Sequence, residues 1–203
     1  MITLVDYGLG NVRAFANIYR RLNVPVAVAR TADELSAAER IILPGVGAFD
    51  WAMARLNESG MRDCLDDLVL NWHRPVLGVC VGMQMMARSS DEGSQPGLGW
   101  LDAEVKRFDE TAAGPRISLP HMGWNEVQPR EEAGLFSGLA APRFYFLHSY
   151  YIAPARPEDV LATTDYHGRF ASAVQAGNIC GTQFHPEKSH GWGIQLLKNF
   201  AES

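Results

Sequence analysis

Pro75-Val76-Leu77-Gly78-Val79-Cys80-Val81-Gly82-Met83-Gln84 is the stretch on which the reading of this chain turns. An apolar run opened by proline reads as a buried strand, and a helical stretch follows directly, from about Val81 to Arg88. Gly78 and Gly82 stand two residues before and two after Cys80. That spacing is the cysteine form of a nucleophile elbow, a turn so tight that both flanking positions must be nearly free of side chain. Such a turn pushes the sulfur outward at the carboxyl end of the sheet, where ligands bind in open α/β folds. The next helix points free N–H groups and its positive end at the sulfur, which favours the thiolate, and the Val81 N–H can face an oxyanion. Glycine is frequent here, so G-x-C-x-G alone is equally a structural cysteine between two glycines. Its place at a strand-to-helix junction decides for the nucleophile.

Upstream, strands and helices alternate. Ile2 to Asp6, Pro25 to Ala29 and Arg40 to Leu43 read as strands. Asn11 can cap a helix with Ala14, Ile18 and Leu22 on one face. Phe49 to Asn57 reads as a helix, as does Gly60 to Trp72, with Met61, Leu65, Leu68, Val69 and Trp72 as its stripe. Short connections in such an alternation imply parallel strands with helices on both faces. Downstream, Ala103 to Phe108, Arg143 to Tyr151, Val160 to Thr164, Phe170 to Gln175 and Ile179 to Phe184 are mostly extended, before a last helix from about Gly193 to Phe200. The expectation is a single α/β domain over 1–203, with a mostly parallel central sheet flanked by helices and an added antiparallel portion in the second half.

The 203 residues are 47% hydrophobic and carry a formal charge of -5, with no basic stripe, so a nucleic-acid partner has no electrostatic support. No apolar run is long enough to cross a bilayer, and Met1 to Asp6 lacks the features of a signal peptide, so a cytoplasmic protein is expected. Three cysteines, Cys64, Cys80 and Cys180, make a poor disulfide framework. Without C-x-x-C or H-x-x-x-H spacing, no metal site is expected. Cys64 sits beside Asp63, Asp66 and Asp67, which disfavour a thiolate, and Cys180 lies in an apolar strand. Gly8-Leu9-Gly10 could open a dinucleotide-binding turn, but position 13 is Arg rather than glycine, and the second strand ends without an acidic partner for a ribose.

A thiolate that displaces ammonia from an amide needs a proton donor. Of six histidines, His185 stands out in Thr182-Gln183-Phe184-His185-Pro186-Glu187. It ends an expected strand, Pro186 stops that strand, and Glu187 can turn back to orient the imidazole as the acid of a triad does. For H-P-E alone, a surface turn is the simpler reading.

Gly78 to Gln84 together with Thr182 to Glu187 resembles the class I, triad-type glutamine amidotransferases, whose fold is flavodoxin-like. Asp6 to Asn11, Leu43 to Phe49, Pro120 to Asn125, Leu147 to Tyr151 and Leu196 to Phe200 narrow the resemblance to the glutaminase subunits of imidazole glycerol phosphate synthase. The resemblance implies that Cys80, His185 and Glu187 hydrolyse glutamine through a glutamyl thioester. Ammonia would then pass to a (β/α)8-barrel cyclase, the heterodimer partner, on the route to histidine, with no cofactor. It implies an oxyanion strand at Pro44-Gly45-Val46-Gly47, where a backbone N–H turns to the substrate and the glycine at 47 makes that turn inexpensive. Gln84 and Glu92 would hold glutamine's polar ends, His148, Ser149 and Tyr150 would form a backbone platform beneath it, and Met122 and Trp124 would face the partner. Two alternatives share the chemistry: a glutaminase feeding amidination of a surface-polysaccharide sugar, and a free-standing hydrolase of γ-glutamyl compounds.

Overall fold

The computed structural model describes residues 1–109, 118–131 and 133–203. The first half is built from β1 (Ile2–Val5), α1 (Val12–Arg21), β2 (Val26–Ala29), α2 (Ala32–Leu35), β3 (Arg40–Gly45), α3 (Phe49–Glu58), α4 (Arg62–Asp66), β4 (Val76–Cys80) and α5 (Val81–Gln84). The second half holds β5 (Ser89–Ser90), β6 (Ala103–Arg107), β7 (His121–Glu126), β8 (Gln128–Pro129), β9 (Arg143–His148), β10 (Tyr150–Pro154), β11 (Val160–Asp165), β12 (Arg169–Ala176), β13 (Ile179–Thr182) and α6 (His190–Glu202).

The main sheet runs β2-β1-β3-β4-β13-β12-β11-β8. Its first five strands are parallel, and β12, β11 and β8 extend it antiparallel. This is the expected α/β architecture, with β13 closing a parallel sheet of flavodoxin-like order. The register brings distant segments together. Gly45 pairs with Cys80, and Val79 pairs with Thr182. The chain leaving β3, the elbow after β4 and the segment leaving β13 therefore emerge side by side at the carboxyl edge. A small sheet, β10-β6-β5, and the antiparallel pair β7-β9 stand over that edge.

Several elements differ from expectation. The helix after Cys80 ends at Gln84 rather than Arg88. The carbonyls of Met85, Met86 and Ala87, which would continue it, accept instead from the N–H groups of Leu98, Leu101 and Gly99. The helix expected over Gly60 to Trp72 is α4 followed by a π turn, Asp67–Asn71. Its wider turn swings Trp72 off the apolar stripe, so that ring is 65% exposed and its Nε1 donates to Asp67 at 3.0 Å. Asn11 caps α1 as expected, its side chain accepting from Ala14 N–H. The buried face, however, is Val12, Phe15, Ala16 and Tyr19, one step round from Ala14, Ile18 and Leu22. The Tyr19 hydroxyl reaches Leu197 O on α6 at 3.0 Å. The single strand expected over Arg143 to Tyr151 is two strands in different sheets, parted at Ser149.

Candidate active site

Cys80 sits at φ 56, ψ -114, a conformation that side-chain-bearing residues rarely adopt. The surroundings hold it there. A Cβ at Gly78 would lie 2.6 Å from Met86 Cε and 2.7 Å from Met83 Cα, and one at Gly82 would overlap the Leu43 carbonyl oxygen. A Cβ at Gly45 would overlap the Gly82 nitrogen. The elbow is thus packed backbone to backbone against the end of β3. The two glycines of the motif are a steric requirement of the fold.

Three residues beyond β13, His185 is buried and backed by Glu187, whose Oε1 lies 2.9 Å from Nδ1. A short 3-10 turn, Pro186–Lys188, folds the carboxylate back onto the ring. Ser189 locks that turn to β9: its hydroxyl donates to His185 O at 2.6 Å and accepts from Tyr145 N–H at 3.0 Å. Tyr145 O in turn accepts from His185 N–H at 2.9 Å. With Nδ1 engaged by Glu187, Nε2 is the nitrogen left for Cys80. Burial alone would suppress the imidazolium. Hydrogen bonds to Cys80 and Glu187, and the charges of both, outweigh that and raise the His185 pKa to about 9. The imidazole therefore sits between two acids, charged and able to donate a proton. Glu187 Oε2 is buried and has no hydrogen-bond partner among the described residues.

These groups open into a cleft of about 260 Å³, lined by Val46, Gly47, Cys80, Val81, Gln84, Glu92, Leu147, His148, Ser149, Tyr150 and His185. Gly47 has φ 89 and open space around it, and Val46 is exposed. Gln84 is buried, and its Nε2 donates to Tyr150 O and to Gln183 Oε1, both at 3.0 Å, so among the described residues only its carbonyl oxygen is left without a partner. Glu92 reaches across with Oε2 to the Phe49 N–H at 2.9 Å, capping α3, which has no cap of its own. Glu187 stands behind His185 and outside the cleft lining.

Met122 and Trp124 lie outside the cleft on β7, 66% and 37% exposed, where Met122 pairs with the cleft residue Leu147. The Trp124 ring stacks on His190 with centroids 5.3 Å apart. Cys64 and Cys180 are both disfavoured as thiolates. Burial, then Asp67 and Asp33, raises the Cys64 pKa, and burial pushes Cys180 to about 12. Asp33, from α2, is a neighbour the local sequence did not indicate. Among the described residues no cluster of three or more His, Cys, Asp or Glu side chains is placed to hold a metal ion, and no helix is long and apolar enough to cross a membrane.

Sequence reasoning gave no role to His121, Tyr7 or Gln183. The Tyr7 hydroxyl donates to Pro44 O at 2.7 Å, at the end of β3, and its pKa is raised by burial and by the nearby Cys80. His121 Nδ1 meets His148 Nε2 at 2.9 Å, and His148 Nδ1 meets Tyr150 O at 2.8 Å. A carbonyl only accepts, so His148 carries its proton on Nδ1 and takes a second hydrogen bond from His121 Nδ1–H. Both rings are neutral in this chain. Burial drives the His121 pKa to about 4, and burial, with the charges of His121 and His185, outweighs the Tyr150 bond and drives His148 to about 3. The unfolded chain binds more protons at these two sites between those values and 6.5. They therefore withdraw stability as pH falls through that window. An NMR titration of the histidine Cε1 protons should show those of His121 and His148 failing to titrate above pH about 5. If either titrates near 6.5, the paired arrangement is wrong.

A family model described as "Glutamine amidotransferase class-I" matches residues 3–203. The imidazole glycerol phosphate synthase subunit HisH of Bdellovibrio bacteriovorus is 59% identical over 203 residues, covering 100% of both chains. That of Leptospira borgpetersenii is 51% identical, covering 99% of each. Among solved structures, a glutamine amidotransferase overlays with a TM-score of 0.76 at 21% identity, covering 99% of this chain and 97% of its own. One from Thermotoga maritima gives 0.62 at 20% identity, covering 92% and 75%. These two likenesses concern the fold. The family match and the identities over the full length decide kinship: the chain belongs to the class I glutamine amidotransferases, among the HisH subunits of imidazole glycerol phosphate synthase.

Proposed function

We propose that the protein hydrolyses glutamine to glutamate and ammonia and passes the ammonia to a cyclase subunit that forms imidazole glycerol phosphate for histidine biosynthesis. The observation that carries this reading is the placement of Cys80, His185, Gln84 and Glu92 in one cleft, with Glu187 bonded to the far side of the His185 ring. The Cys80 thiolate attacks the side-chain amide carbon of glutamine. Negative charge moves to the carbonyl oxygen, where the Val81 N–H and a backbone N–H of the Val46 and Gly47 segment receive it. The glycine at 47 makes reorientation of that peptide inexpensive.

As the tetrahedral species collapses, the C–N bond breaks and the His185 imidazolium gives its proton to the departing nitrogen, releasing ammonia and leaving a glutamyl thioester on Cys80. The now neutral imidazole takes a proton from water. The resulting hydroxide attacks the thioester, glutamate leaves, and the thiolate–imidazolium pair is restored. Glu187 holds the ring and stabilises its charge throughout. The Gln84 carbonyl oxygen and the Glu92 carboxylate suit the α-ammonium group of the substrate, and the turn at Ser149 supplies backbone beneath it.

Ammonia is a nucleophile only while unprotonated, so it must leave the cleft without meeting bulk water. Val46, Leu147, Met122 and Trp124 make an exposed apolar rim on that side, which fits a partner closing over it. The test pairs two measurements. Glutaminase turnover should be low for the chain alone and rise at least about tenfold with the cyclase subunit and its ligand bound, a modest allosteric coupling. The gene should also restore growth without histidine to a strain lacking this subunit. High unaided turnover would indicate a free-standing hydrolase. Stimulated turnover without rescue would indicate another ammonia acceptor, such as a polysaccharide sugar.

A further inference from the structure

The same site contains a fully buried amide that the mechanism above does not use. Gln183 lies one residue past β13, anchored by its N–H to Ser172 O at 2.9 Å. Its side chain bridges Gln84 and the elbow, with Nε2 3.8 Å from Cys80 Sγ and Oε1 3.0 Å from Gln84 Nε2.

The direction of each bond follows from one group that can only accept. The Tyr150 carbonyl faces the Gln84 amide at 3.0 Å, so the Gln84 atom there is its NH2. That same NH2 also faces Gln183, which must therefore present its carbonyl oxygen to Gln84. The Gln183 NH2 is left pointing at the sulfur. Flipping Gln183 would set oxygen against sulfur and nitrogen against nitrogen, leaving buried donors unpaired. His148 Nδ1 donates to the same Tyr150 carbonyl at 2.8 Å and holds it in place.

We propose that Gln183 donates a hydrogen bond to the Cys80 sulfur, locked in that orientation by Gln84, and thereby favours the thiolate. This rests on the reading of Cys80 as nucleophile. The titratable groups facing the sulfur are His185, from beyond β13, and Tyr7, from beyond β1. Neither duplicates the amide. His185 moves its proton during the reaction, and the Tyr7 hydroxyl is spent on Pro44 O. A fixed neutral donor stabilises the sulfur anion at the start of the reaction and again when the thioester breaks.

Thiolate content is read by the rate at which iodoacetamide alkylates Cys80 at pH 7, followed by mass spectrometry of the peptide containing it. This readout needs neither substrate nor partner. Gln183→Met removes the donor at similar volume, and Gln183→Glu keeps the shape but sets an acceptor against the sulfur. A hydrogen bond to a charged group corresponds to about a tenfold to hundredfold effect. The expected result is alkylation slowed at least about tenfold in both variants, with kcat for glutamine falling in parallel and KM within about threefold. If only one variant folds, as judged by circular dichroism, that one decides. Alkylation at the wild-type rate would overturn the proposal, including where activity is lost, because the amide would then act only through packing or through Gln84. The nucleophile reading fails by a separate result: glutaminase activity that survives Cys80→Ala.

Discussion

Cys80→Ala is expected to lower glutamine turnover by at least about ten-thousandfold while leaving the fold and the melting temperature nearly unchanged. The mechanism contains no second nucleophile. Cys64 and Cys180 are both held as thiols, and neither lines the cleft. Water attacking the amide directly would lack the sulfur's nucleophilicity and would retain only the oxyanion donors and substrate binding. Alanine keeps the Cβ that the elbow already accommodates at φ 56, so the steric state of the turn does not change. The comparison is best made in the complex, where turnover is high enough for a large loss to be measured. Cys64→Ala serves as the control and should be active. Activity of Cys80→Ala within tenfold of wild type would end the thioester mechanism. A large fall in melting temperature would mean that the sulfur also supports the fold.

Gly82→Ala should show the converse, a loss of stability before any loss of chemistry. The added Cβ would overlap the Leu43 carbonyl oxygen and lie 3.1 Å from the Pro44 carbonyl carbon. Both are backbone atoms of a central strand, so no side chain can rotate away. Either α5 lifts from β3 or the strand yields, and both disturb the pairing of Gly45 with Cys80. Overpacking of this kind costs about 3 kcal/mol or more, equivalent to a melting temperature lower by roughly 6–12 °C for a chain of this size. Gly191→Ala is the matched control. Position 191 lies in α6 with open space around its Cβ site, and alanine there should be neutral or slightly stabilising. Equal behaviour of the two variants in thermal melts would mean that the elbow has more room than its packing indicates.

The elements that sequence reading placed well share a cause. β1, β3 and β4 are short apolar runs buried on both faces, and parallel strands between helices carry that signature wherever they occur. β7 shows the opposite. In His121-Met122-Gly123-Trp124-Asn125-Glu126 the apolar Met122 and Trp124 face outward, while His121 is buried and Asn125 half-buried. The polar groups inside are satisfied by His148 and by each other, and the apolar ones outside form the rim of the cleft. A pattern inverted by function does not announce a strand. The helix expected beyond Gln84 failed for a comparable reason, since its propensity was overruled by hydrogen bonds from residues about a dozen positions later.

Cys80, His185 and Glu187, the proposed nucleophile, base and acid, stood out in the sequence because they lie within two short motifs whose spacing is set by local chain geometry: a turn that excludes side chains, and a proline that ends a strand. The parallel core was legible for the same local reason. The Cys80–His185 encounter required β4 and β13, about a hundred residues apart, to become neighbours in a register pairing Val79 with Thr182. The neutral state of His148 was likewise invisible. His185 becomes charged and His148 neutral because one is buried between two acids and the other beside a second imidazole. Gln183 read as part of a motif without a role, and only the Tyr150 carbonyl, brought in from another sheet, orients its amide toward the sulfur. Residue identity and local spacing determined which groups could react. Long-range pairing and burial, which depend on the whole fold, decided how those groups face one another and which of them carry charge.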